Sequence, residues 1–228
     1  MKKRIETFVL AILAGVAIAI GGTVFLSVEN KVIGAVLFSV GLFIICTFQF
    51  NLFTGKACYI LENDKNYLIN IPIIWIGNFL GTFLTAKLES LTRIGEKLQS
   101  VANGMCEIKL NDSLLSLFLL GIFCNILIFV AVESYKNNKH EVGKYLGLLF
   151  GVVVFILAGF EHSIADMYYF SIANMWNFSS LLAIIIISLG NIVGGLLIPL
   201  ARKMNEKLEV NVRHFSANDD PKARHKTK

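Results

Sequence analysis

The stretch of sequence that decides the fold reads Gly159-Phe160-Glu161-His162-Ser163-Ile164-Ala165-Asp166. It interrupts an otherwise apolar run, Tyr145–Phe170, that is long enough to span a bilayer. Ionisable side chains at that depth are costly unless they face protein or a water-filled cavity. Non-helical backbone is tolerated inside a membrane under the same condition. The stretch therefore predicts a discontinuous helix, broken near mid-membrane, with a functional polar interior.

Composition places the whole chain in the membrane class. Of its 228 residues, 55% are hydrophobic and only 16% are charged, whereas about a quarter of a soluble domain is charged. The formal net charge is +5, but the basic residues cluster at the ends of apolar segments, as the positive-inside rule requires. We therefore predict a multi-pass protein of the cell (inner or plasma) membrane, with both termini cytoplasmic and no nucleic-acid partner.

Six apolar spans of about 20 residues are predicted. They are Phe8–Val28, Val32–Leu61, Tyr67–Ala86, Ser113–Val132, Tyr145–Phe170 and Phe178–Ala201. The mixed polar segment 87–112 is expected to be an external loop that can carry a short amphipathic helix. We predict one transmembrane channel domain, residues 1–205, followed by a mobile polar cytoplasmic tail, residues 206–228.

The chain repeats its own pattern. The second span has a polar interruption of its own, Phe50-Asn51-Leu52-Phe53-Thr54-Gly55-Lys56, and G-N-x-x-G occurs in the third span at Gly77–Gly81 and in the sixth at Gly190–Gly194. One such motif alone indicates close helix packing. The matched order of intact span, broken span and G-N-x-x-G span predicts two inverted halves, about 5–90 and 109–205, with a site at their interface.

The predicted site favours anions. Each break would start a half-helix at the midplane, so two helix N-termini, each worth about half a positive charge, would face one region. Thr54 and His162 would add hydroxyl and imidazole donors there. Arginine, the usual clamp for phosphate and larger carboxylates, lies outside the apolar spans, at Arg4, Arg93, Arg202, Arg213 and Arg224. A small, singly charged substrate is therefore expected.

Catalysis and metal binding are weaker alternatives. Glu161, His162 and Asp166 could be metal ligands, but H-E-x-x-H is absent and the remaining histidines fall in loops or the tail. G-x-S-x-G is also absent, and the four cysteines lack the spacing of a metal or disulfide framework. We expect no metal, no cofactor and no enzymatic activity.

Several runs together resemble the formate/nitrite transporter family, over about residues 5–205. They are Leu52-Phe53-Thr54-Gly55, the stretch from Gly159 to Met167, Cys124-Asn125 and Gly190-Asn191-x-x-Gly194-Gly195. Within the family the chain is most similar to the hydrosulfide channel branch. The resemblance implies an aquaporin-like protomer with its own pore, assembled as a homopentamer in membrane lipid. It also implies conduction of hydrosulfide first, with formate and nitrite close behind.

The resemblance further implies roles at matching positions. Thr54 and His162 would line the pore, and Lys109 would attract anions at its outer entrance. Hydrophobic constrictions would form from Phe38, Leu42, Leu52 and Phe155, and support of the broken-helix loops would come from Asn125, Glu161 and Asn191. From the residues alone, Phe38, Leu42 and Phe155 are more typical of core or lipid-facing positions. Lys109 alone would be a snorkelling lysine, and Asn125 alone an interhelical hydrogen bonder.

Two positions depart from the family pattern. Position 166 is usually asparagine; here Asp166 could favour a protonated His162 by its charge, or complement a helix N-terminus. Position 51 often carries an acid, and here it is Asn51. The leading hypothesis is a passive pore, the second is a proton-coupled transporter of formate or nitrite, and the third is a membrane enzyme.

Overall fold

The computed structural model describes the backbone of residues 2–218 and the side chains of residues 2–208. This part of the chain is all-helical, as predicted, with nine α-helices and one short 3₁₀ helix, Ile60–Glu62. The α-helices are α1 (Lys2–Ser27), α2 (Lys31–Phe48), α3 (Phe53–Ala57), α4 (Lys65–Ser90), α5 (Gly95–Leu110), α6 (Leu114–Asn137), α7 (Glu141–Leu157), α8 (Ser163–Ile172) and α9 (Phe178–Asn218).

Five of the described helices, α1, α2, α4, α6 and α9, are long and apolar enough to cross a membrane. The predicted fifth span is divided between α7 and α8, with non-helical backbone from Ala158 to His162. The predicted second span is divided between α2 and α3, with non-helical backbone from Gln49 to Leu52. Both predicted breaks are therefore present in the chain, and the count of six spans stays a prediction.

Both breaks end their first helix in the same way. The residue that leaves the helix has a positive φ, 56° at Gln49 and 72° at Gly159, and glycine reaches this left-handed region without the steric cost that a Cβ adds. The next N–H donates back to the carbonyl five residues earlier, at 3.0 Å for Phe50 to Ile45 and 2.9 Å for Phe160 to Phe155. This bond pairs a carbonyl that the helix end would otherwise leave open.

The two halves also pack alike. α1 packs against α2 and α4, and α6 packs against α7 and α9. The glycines of the two G-N-x-x-G motifs allow these contacts, since a Cβ on Gly81 would overlap the Ile12 carbonyl and one on Gly194 would overlap the Ile122 carbonyl. The motifs are thus helix-packing motifs, and their asparagines have a further role described below.

Two segments are more helical than predicted. Segment 87–112 contains the 16-residue helix α5, which packs against α8 and buries one face; that face includes Leu98, Ala102, Cys106 and Lys109. At the other end, α9 continues past the predicted span end at Ala201 to Asn218, so the first part of the predicted 206–228 tail is helical. The Lys, Glu and Leu residues in this part of the tail favour a helix. Residues 219–228 lie outside the described residues.

Candidate functional site

Asn191, on α9, binds the second break from one side. Its Nδ2 donates to the carbonyl oxygens of Gly121 (2.8 Å) and Glu161 (2.9 Å), and its Oδ1 accepts from the backbone N–H of Ser163 (3.0 Å). The side chain is fully buried. Because Glu161 precedes α8 and Ser163 begins it, these bonds connect the non-helical segment and the start of the half-helix to α9.

Asn78, on α4, makes the same three bonds at the first break. Its Nδ2 donates to the carbonyl oxygens of Ala11 (2.7 Å) and Asn51 (2.9 Å), and its Oδ1 accepts from the N–H of Phe53 (2.8 Å). Phe53 is the first residue of α3. Asn78 belongs to the first G-N-x-x-G motif, but it is not among the residues predicted from sequence to support the loops. The paired G-N-x-x-G motifs were the pattern that could have identified it.

Asn125, predicted as loop support, lies between the two breaks. Its Nδ2 donates to the carbonyl oxygens of Thr54 (3.1 Å) and Asn191 (2.6 Å). It therefore connects α3 to α9 and contacts the half-helix of the first break. Its Oδ1 is buried and has no hydrogen-bond partner among the described residues.

Thr54 and His162 form a hydrogen bond with each other. Their Oγ1 and Nε2 atoms are 3.0 Å apart, and both side chains are buried. His162 caps α8, because its Nδ1 accepts from the backbone N–H of Ala165 at 3.1 Å. An accepting Nδ1 carries no proton, so the neutral imidazole has its proton on Nε2 and donates it to Thr54 Oγ1. The Thr54 hydroxyl hydrogen is then available to another acceptor.

The four predicted constriction residues are all buried. The Phe155 ring stacks on His162 with centroids 5.6 Å apart, and Phe38 contacts Phe155 edge-on at 6.2 Å. Leu42 and Leu52 line a cavity of about 450 Å³. The phenylalanines are therefore in contact with His162, and the leucines border the cavity; their role as constrictions stays a prediction.

Lys109 is buried and paired with two carboxylates. Its ammonium group binds the Glu161 carboxylate and lies 3.0 Å from Asp166 Oδ1. The second Asp166 oxygen is buried without a hydrogen-bond partner in the described part of the chain. When all three groups are ionised, the cluster has a net charge of −1. Lys109 is therefore not a free positive charge at the surface, and Glu161 contributes a side-chain ion pair as well as its carbonyl to the second break.

The half-helix ends differ from the expectation of two open, positively charged N-termini. The first N–H of α3 is bound by Asn78, and the first and third N–H groups of α8 are bound by Asn191 and His162. Moreover, α3 has only five residues, and a short helix sums few peptide dipoles. These bonds occupy part of each N-terminus, and the Thr54 hydroxyl is a side-chain donor beside them.

Together, the fold and the site define a multi-pass helical membrane protein of the channel and transporter class, with a buried polar pair where two broken helices meet. Within the described residues, no three His, Cys, Asp or Glu side chains are grouped so that they could hold a metal ion. A family model described as formate/nitrite transporter matches residues 2–202. The chain belongs to the formate/nitrite transporter family, which confirms the family predicted from sequence.

Individual relatives agree with this assignment. The chain is 26% identical to the formate channel FocA of Escherichia coli (strain K12), over 85% of this chain and 84% of that protein. It is 29% identical to the uncharacterized transporter YrhG of Bacillus subtilis (strain 168), over 73% of this chain and 68% of that protein. The solved structure of a pentameric formate channel with formate bound has a TM-score of 0.76 at 25% identity, covering 92% of this chain and 98% of that chain.

Proposed function

We propose that this protein is a passive channel for small monovalent weak-acid anions, with one pore in each protomer. Membership of the family and the names of its relatives support anion transport. The names of the E. coli relative and of the solved structure favour formate, whereas hydrosulfide rests on the sequence resemblance alone. Formate and hydrosulfide are therefore the two anions to compare, with nitrite as the third.

The observation that carries the proposal is the buried hydrogen bond between Thr54 and His162. We propose that the predicted constriction residues form a hydrophobic layer on each side of it. An anion in that position would meet the Thr54 hydroxyl as donor, polarised by the Nε2–H of His162. No fixed positive charge is bonded to this pair among the described residues. Stripping water from a charged group costs several kcal/mol even after relaxation, and one or two neutral donors offset only part of that.

A weak acid has a cheaper route through the hydrophobic layers, because it can cross them as the neutral acid. The proton could come from water on either side or from a protonated His162. The second source requires a proton on Nδ1, which would break the bond from the Ala165 N–H. We therefore propose that His162 acts mainly as a neutral donor to Thr54, and that the substrate takes its proton before it reaches the pair.

Location, topology and assembly belong to the same proposal. We propose the cell membrane, both termini in the cytoplasm, and a homopentamer, the last by analogy with the pentameric formate channel. Basic residues at the start of α1 and around the α6–α7 turn support the orientation. Native mass measurement that finds a monomer would contradict the pentamer, and a tag at residue 228 labelled only from outside intact cells would contradict the topology.

A proton-coupled secondary transporter is the second candidate. One specific observation favours it: the buried Lys109–Glu161–Asp166 cluster contains two carboxylates for one cation, so it could exchange a proton with solvent. Membrane catalysis has less support, since the relatives are named as channels or transporters. We propose that the protein carries out no chemistry on its substrate.

The deciding experiment is flux into proteoliposomes that contain the purified full-length protein. Formate, hydrosulfide and nitrite should pass along either gradient, chloride should pass more slowly, and succinate should not pass. His162→Phe should reduce formate flux at least about tenfold, the loss expected when roughly 1.4 kcal/mol of stabilisation is removed. His140→Phe is the matched control, since His140 is exposed. Measurable succinate flux would exclude a small-anion pore, and strict dependence on a proton gradient would favour the transporter.

A further inference from the structure

The cavity beside Leu42 and Leu52 contains a second polar feature that the pathway described above does not use. Its volume is about 450 Å³, and its lining includes the lysines Lys56 and Lys136. Lys56 is half-buried and Lys136 is exposed. Since Leu42 and Leu52 are predicted constriction residues, the cavity is the space that an anion would occupy on the α3 side of that constriction. In the proposed topology this is the cytoplasmic side.

Neither lysine is neutralised by a carboxylate within the part of the chain that the structure describes. The acid nearest to them along α6, Glu133, is bound by Arg202 (2.8 Å) and by the Tyr59 hydroxyl (3.0 Å). Lys136 is held over the Tyr59 ring, with its Nζ 4.3 Å from the centroid. Both lysine side chains line the same cavity. The cavity therefore has an uncompensated positive charge.

We propose that Lys56 and Lys136 form a binding site for a small monovalent anion at this mouth of the pore. Two like charges in a confined space repel, and a single anion between them removes the repulsion. A concave site with low-dielectric walls also focuses the field, which raises the local concentration of counter-ions and the rate at which they arrive. The proposal deepens the channel function and rests on it for the identity of the anion.

The thiol of Cys46 allows the electrostatic potential inside this cavity to be measured by chemical labelling. It lines the same cavity and is partly accessible, whereas the other three cysteines are buried. Methanethiosulfonate reagents with an anionic sulfonate or a cationic ammonium group react with a thiolate in the same way: a mixed disulfide forms and methanesulfinate leaves. The ratio of the two rates therefore reports the local electrostatic potential, because any change in the reactivity of the thiol itself cancels.

The experiment measures this ratio at low ionic strength for the purified full-length protein in detergent. Lys56→Gln and Lys136→Gln should each lower the anionic-to-cationic ratio by about fivefold, the effect of one unit charge roughly 8 Å away in water on two reagents that respond in opposite directions. Lys136→Arg should keep the wild-type ratio. Lys139→Gln is the matched control, because Lys139 is also exposed and close in sequence but does not line the cavity. Cys46→Ser should abolish labelling.

Sodium formate should slow labelling by the anionic reagent in wild type, and less so in Lys136→Gln. A ratio that is the same in wild type and in both lysine-to-glutamine variants would overturn the proposal, as would an equal fall in Lys139→Gln. If Lys56→Gln does not fold, the test is made with Lys136→Gln, because Lys136 is exposed. Failure of the proposed channel function would be seen separately. If the protein conducts no anion but shows the expected labelling ratios, the anion-site proposal stands and the channel proposal is wrong.

Discussion

Asn191→Leu tests whether one buried asparagine holds the second break in place. Leucine has a similar volume but has neither the Nδ2 donors nor the Oδ1 acceptor. The carbonyl of Glu161 and the N–H of Ser163 would lose the partners that now lie 2.9 Å and 3.0 Å away. The Gly121 carbonyl lies inside α6 and would keep its helical bond, so its loss is small.

The size of the effect follows from these contacts. Each buried backbone group without a partner costs about 1–3 kcal/mol, so two such groups predict a loss of about 2–6 kcal/mol. For a chain of this length that corresponds to a melting temperature about 4–24 °C lower. Asn78→Leu should lose about as much, because Asn78 makes the equivalent three bonds. Asn125→Leu should lose only about 1 kcal/mol, since its acceptors are carbonyls within or beside helices.

The assay is thermal unfolding of each purified variant in detergent, followed by formate flux for the variants that fold. Asn191→Asp is the sharper comparison, because it keeps an acceptor for the Ser163 N–H but turns an oxygen toward two carbonyl oxygens. We expect Asp to be at least as destabilising as Leu. A melting temperature for Asn191→Leu within about 2 °C of wild type would refute the reasoning, and so would recovery of stability by Asp.

Three further predictions concern the ionisable residues. Lys109→Met should destabilise the protein by about 3–5 kcal/mol, because it leaves two buried carboxylates without a cation. In a thermal melt, the double variant Lys109→Met/Asp166→Asn should recover part of that lost stability. Asp166→Asn alone keeps the ion pair between Lys109 and Glu161, so the stability of the protein should change little. Because the variant removes a negative charge, formate flux at low formate concentration should rise. Unchanged flux would mean that the charge of Asp166 does not act on the pathway. His162→Asn keeps a good N-cap for α8 and should conduct with the wild-type pH profile, because the substrate takes its proton from water before it reaches the Thr54–His162 pair. A pH dependence that disappears in this variant would show instead that His162 supplies the proton.

The sequence predicted the breaks because they depend on local information. Glycine and polar side chains inside an apolar run are visible without any knowledge of packing, and Gly159 indeed adopts a positive φ. The Lys109 cluster was not predictable in the same way. Its ammonium group meets Glu161 and Asp166 only because α5 folds back over α8, and segment 87–112 is too polar to indicate that direction. The sequence therefore predicts Lys109 as an anion-attracting group at the outer pore entrance and gives no sign of its two carboxylate partners.

The two breaks share one backbone design and differ in the side chain that precedes the half-helix. Asn51 and Glu161 each donate their N–H to a leucine carbonyl of the first helix in their half, at 3.2 Å and 3.3 Å, and each accepts from the asparagine of the third helix. The next residue is Leu52 in one half and His162 in the other. Leu52 gives α3 no side-chain cap, whereas His162 caps α8.

The asparagine bonds fix both positions, so the side chain at each position can differ while the backbone of the break stays the same. In the proposed pathway, the apolar Leu52 would form a barrier to a charged ion, and His162 would act on the substrate through the Thr54 hydroxyl to which it donates. On this proposal a weak acid would satisfy both conditions, neutral at Leu52 and hydrogen-bonded at Thr54, and a permanently charged ion would not.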